Sequence, residues 1–131
     1  PTAANNSLIS WPNIPKPGFY QVKNACRPVM ASATIQKFIW VPGESFSTRV
    51  WMLNDSPQEV KSGNLKVSIV KGNDKILMGT WNYSKLNPNE NLEGQEFIMN
   101  MPAWTAGQFK LLLEVEGAPE LNSEYIMLLR D

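Results

Sequence analysis

Apolar and polar residues alternate with a period of two through most of this chain. In residues 64–70, Leu65, Val67 and Ile69 fall on one side of an extended backbone, with Lys66 and Ser68 on the other. Residues 107–116 repeat the pattern with Phe109, Leu111, Leu113 and Val115. A period of two marks a strand with one face on a core and one in water. Residues 44–53 make the clearest further strand, rich in Phe, Thr, Val and Trp, and stop at Asn54-Asp55-Ser56-Pro57. Strands are also predicted at 29–35, 36–41, 75–83, 95–101 and 123–130. Turn signals separate them: Pro42-Gly43, Lys71-Gly72-Asn73-Asp74, the polar loop Asn87-Pro88-Asn89-Glu90-Asn91, and residues 117–122. Short strands at this spacing predict an all-β fold, an immunoglobulin-like antiparallel β-sandwich. Its core is expected to come from Val50, Leu65, Val67, Ile69, Phe109, Leu111, Leu113 and Met127.

The beginning of the chain reads differently. Residues 1–15 are irregular and rich in Asn and Pro. Pro17 suits the first turn of a helix. Phe19, Val22 and Cys26 then follow at helical spacing, with Tyr20 and Ala25 beside them. Pro28 stops the pattern, because a residue before proline avoids the α region. The spacing predicts a short helix at about 17–26, so that 1–28 form a linker and helix and 29–131 the sandwich.

Composition narrows the function classes. The 131 residues suit one domain, and 12 basic residues balance 12 acidic ones. A neutral chain offers no electrostatic footprint for nucleic acid or an anionic membrane. No apolar run is long enough to span a bilayer as a helix. The opening Pro-Thr-Ala-Ala-Asn-Asn has neither the charged start nor the apolar block of a signal peptide. Histidine is absent, which removes the usual general base and the commonest metal ligand. One cysteine, Cys26, allows no internal disulfide, so the core must hold the fold.

Two stretches carry a resemblance. The run Ile9-Ser10-Trp11, followed by Pro15-Lys16-Pro17-Gly18-Phe19-Tyr20-Gln21-Val22-Lys23-Asn24-Ala25-Cys26-Arg27-Pro28-Val29, resembles the end of the catalytic barrel of family 2 glycoside hydrolases. That family includes β-galactosidases, β-mannosidases and β-glucuronidases, and a β-sandwich follows the last barrel helix in many β-mannosidase-like members. Pro42-Gly43-Glu44 and Leu53-Asn54-Asp55 resemble the first loop and strand end of that sandwich. The resemblance implies a non-catalytic accessory domain that packs against the barrel of a retaining parent. The two catalytic glutamates of such a parent would lie upstream of residue 1, so no catalytic, cofactor or metal residue is carried over here. The residues leave the compartment open, and a glycan-degrading bacterial parent would favour the periplasm or the cell exterior. A carbohydrate-binding module and a fibronectin-III-like spacer or adhesion domain are the alternatives.

Candidate residues follow from these readings. Trp11, Phe19, Tyr20, Val22 and Trp51 are the expected domain interface, or a surface for self-association of the isolated domain. Trp40, Trp81 and Trp104 could form a sugar-stacking platform, although filling the core or an interface is the plainer use of tryptophan. Asn87, Asn89, Asn91 and Glu93 recur at every second position, as oxygen ligands do in calcium loops, but most are neutral amides and Pro88 intrudes. Glu44, Glu96, Glu114, Glu116, Glu120 and Glu124 alternate with apolar residues, which fits a polar outer face better than a catalytic pair. Asn5, Asn54 and Asn82 each begin an Asn-x-Ser sequence. Cys26, next to Val22 on the apolar helix face, reads as a packed thiol.

Overall fold

A computed structural model describes residues 27–131. The helix predicted at 17–26 lies outside the described residues, and so do Trp11, Phe19, Tyr20, Val22 and Cys26. Eight strands follow: β1 (Val29–Thr34), β2 (Ile39–Trp40), β3 (Ser45–Asn54), β4 (Gly63–Lys71), β5 (Asp74–Tyr83), β6 (Asn91–Asn100), β7 (Gly107–Val115) and β8 (Ser123–Leu129). The one helical element among the described residues is a 3-10 turn, Pro119–Leu121.

The strands form two sheets, in the orders β1-β3-β6 and β2-β8-β7-β4-β5. Each sheet is apolar on one face, and the two apolar faces meet in a single core. All eight expected core residues are buried, none more than 2% exposed. The connections β3–β4, β5–β6 and β6–β7 each cross from one sheet to the other, which makes the fold an immunoglobulin-like sandwich.

Three expectations need correction. The sheets are not wholly antiparallel, because β2 pairs in parallel with β8, Ile39 opposite Leu128 and Trp40 opposite Leu129. The strand predicted at 36–41 shrinks to Ile39–Trp40, because the chain leaves the three-stranded sheet after Thr34 and needs the intervening residues to reach the other sheet. The strand predicted at 95–101 begins instead at Asn91. Its alternation is hidden by a bulge: Arg49 pairs with Glu96 but Trp51 pairs with Glu93, so Gly94 and Gln95 together face Val50.

The two long sides of the sandwich are closed by different chemistry. On one side, edge strands β5 and β6 face each other across the sheets. Phe97 of β6 lies on Gly79 of β5, where an added Cβ would collide with the ring. Trp81 of β5 lies on Gly94 of β6, where a Cβ would come within 2.8 Å of both the indole and the Val50 carbonyl. On the other side, side chains of β8 bond to the backbone of β1. The Tyr125 hydroxyl accepts from the Ala33 N–H at 2.9 Å and lies 3.1 Å from the Ser32 hydroxyl. The Ser123 hydroxyl donates to the Ala31 carbonyl at 2.6 Å, and Arg27 donates to the Ser123 oxygen at 2.7 Å. At the strand end, the buried Asn54 amide donates to the Gln58 and Asn87 carbonyls and accepts from the Ser56 N–H and hydroxyl.

Leu111→Ala should lower unfolding stability by about 2–5 kcal/mol, as buried leucine truncations do, measured by urea denaturation. Gly94→Ala should cost about 1–3 kcal/mol through overpacking. In a Trp81→Ala background that cost should shrink, and a double-mutant cycle showing no coupling would contradict the ring-on-glycine contact.

Tyr125→Phe should cost about 1–3 kcal/mol, because it leaves the buried Ala33 N–H without an acceptor. Burial also pushes the Tyr125 hydroxyl above the ordinary tyrosine pKa, with the Ser32 and Ala33 hydrogen bonds opposing. A raised folded pKa means that this contribution is complete below the unfolded value of about 10 and is lost as pH rises through the folded one. Stability should therefore fall above about pH 10, and fall less steeply in Tyr125→Phe, as followed by circular dichroism.

Candidate interaction surfaces

The outer faces of the two sheets differ. On the five-stranded sheet, strand register aligns Leu77 of β5, Ser68 of β4, Leu112 of β7 and Glu124 of β8 in one row. The next rows add Ile126 on β8 and then Leu128 opposite Ile39 of β2. The apolar positions therefore cross the sheet on a diagonal from Leu77 to Ile39. Leu77 is 56% exposed, Ile39 47% and Leu128 42%. The charges beside the diagonal are paired within the face. Lys75 meets Glu114 at 2.7 Å and Lys110 meets Glu124 at 3.3 Å. Ser68 is fully buried in the middle of this face, and its hydroxyl has no protein partner.

The outer face of the three-stranded sheet is more polar. Trp51, the one described member of the expected interface, is half-buried there, between Ser32 of β1 and Glu93 of β6. Its indole N–H donates to the Thr34 hydroxyl at 3.0 Å. Arg49 donates to the Gly94 carbonyl at 2.8 Å and meets Glu93 at 3.4 Å, so it braces the bulge of β6. Ile98, 62% exposed, stands on the same face.

The structure does not gather Trp40, Trp81 and Trp104 into one platform. Trp40 is 2% exposed, edge-on to Phe46 at 4.7 Å and under the Lys37 ammonium at 4.6 Å. Trp81 points inward from β5 onto Gly94, 5.6 Å from the Tyr83 ring. Trp104 lies in the β6–β7 loop, where its indole N–H donates to Asp74 at 2.9 Å and ties that loop to the β4–β5 hairpin.

The alternating amides are divided between a turn and a strand. Asn87 N–H donates to the Glu90 carboxylate, and Asn89 takes a left-handed φ of 59°. Asn91 and Glu93 already belong to β6. Among the described residues no group of three His, Cys, Asp or Glu side chains could hold a metal ion. The glutamates are similarly dispersed. Besides the two lysine pairs above, Glu116 accepts from the Asn64 amide at 3.2 Å, and Glu44 bonds the Lys37 ammonium and the Val41 N–H. The Lys37 hydrogen bond, with Val41 second, holds the Glu44 carboxyl below its ordinary pKa. Of the described Asn-x-Ser positions, Asn54 is buried and Asn82 is exposed on β5. The apolar diagonal on the outer face went unforeseen in the sequence. Its signal was the apolar partners of the core positions, Leu112 between Leu111 and Leu113 and Leu128 beside Leu129.

No protein-family model matches the chain, and no curated protein matches it. Solved structures do. A CARDB domain from Pyrococcus furiosus, solved with di-metal ions, aligns over 92% of this chain and 99% of its own, with a TM-score of 0.59 and 12% identity. A β-glucosidase from Listeria innocua, solved with isofagomine, aligns over 79% of this chain with a TM-score of 0.56 and 12% identity. The chain spans only 16% of that enzyme. Likeness at this identity shows the fold alone. It is the fold of β domains that occur both as nearly a whole chain and as a small part of a glycosidase.

Proposed function

We propose that this chain is a non-catalytic accessory sandwich of a glycoside hydrolase acting on β-linked sugars, packed beside the catalytic barrel of its parent. The observation that carries this reading is the outer face of the five-stranded sheet. It exposes Leu77, Leu128 and Ile39 while Lys75 pairs with Glu114 and Lys110 with Glu124, as suits a surface covered by another apolar surface. The β-glucosidase that contains a similar sandwich supports the glycosidase setting, and the residues resembling a barrel end support a family 2 parent of the retaining kind. The sandwich then braces the barrel, and the dispersed glutamates act as solubilising and pairing groups on outer strands.

A second reading, a self-standing spacer or adhesion domain, is favoured by the end-to-end correspondence with the CARDB domain. The di-metal ions belong to that domain's structure and are not carried over to this chain. A carbohydrate-binding module finds less support, since Trp40 is buried and Trp81 and Trp104 are each engaged within the fold.

Incubated with a panel of nitrophenyl β-glycosides, the chain should release no nitrophenol above buffer. Turnover abolished by a Glu→Gln substitution would overturn the accessory reading. Freed of its partner, the chain should also self-associate through the exposed leucines. Sedimentation velocity should show concentration-dependent oligomers for the native chain and a monomer for the variant carrying Leu77→Lys and Leu128→Lys. A native chain that stays monomeric at high concentration would remove the support this face gives.

A further inference from the structure

We draw no further inference here: the strongest candidate, the apolar diagonal from Leu77 through Leu112 and Ile126 to Leu128 and Ile39 on the outer face of the five-stranded sheet, carries nothing beyond the docking role already proposed, because nothing in the structure shows what covers it.

Discussion

Two aromatic rings, each lying on a glycine of the opposite sheet, set the distance between β5 and β6. Phe97 reaches across to Gly79, and Trp81 reaches back to Gly94. A sandwich without a disulfide needs some such device where its sheets end, because edge strands have a ladder partner on one side only and water can enter between the layers. The glycines let a large ring approach the backbone itself, so the seam is filled at contact distance. The bulge at Gly94 belongs to the same device. It presents that glycine to Trp81, and Arg49 holds the bulged carbonyl from the other face. Loss of this seam would expose the end of the core, where Tyr83 and Phe97 are buried.

The opposite side is closed by polar groups. There β1 belongs to the three-stranded sheet and β8 to the five-stranded one, and Tyr125 and Ser123 bridge them. The hydroxyl of a fully buried tyrosine is costly unless paired, and here it takes the place of a missing ladder partner for Ala33. One seam is thus tolerant in direction but strict in volume, while the other tolerates little change in angle. The polar seam lies beside the strand switch by which the chain passes from β1 to β2 and joins β8 in parallel.

Much of this was legible in the alternation of residues. A period-two pattern with branched residues assigns strand faces whatever their partners, so all eight core positions follow from it. Partnership is a different kind of information. Nothing in Ile39 and Trp40 distinguishes a parallel pairing with β8 from an antiparallel one, since both place Trp40 inward. The start of β6 was obscured because Gly94 and Gln95 break the alternation where the bulge inserts a residue. The tryptophans were recognised as core or interface material without being placed. Whether Trp104 lies on a platform or tethers a loop depends on Asp74, thirty positions away. The outer apolar diagonal was missed because it is assembled from one or two residues on each of four strands, each unremarkable in its own segment.

Asn54 bears on how such a protein ages. Asparagine decays in solution when the backbone nitrogen of the next residue attacks the side-chain carbonyl and closes a succinimide ring. Here that nitrogen, of Asp55, donates to the Pro28 carbonyl at 2.7 Å, and the Asn54 amide is held through both its nitrogen and its oxygen. Neither reacting group can turn toward the other without dismantling the loop that Asn54 organises. Asn73, in the exposed two-residue turn between β4 and β5, has no such restraint from burial. Between these two asparagines, chemical wear falls on a turn that holds no core residue, and the joint between the loops keeps its amide as long as the sandwich stays folded.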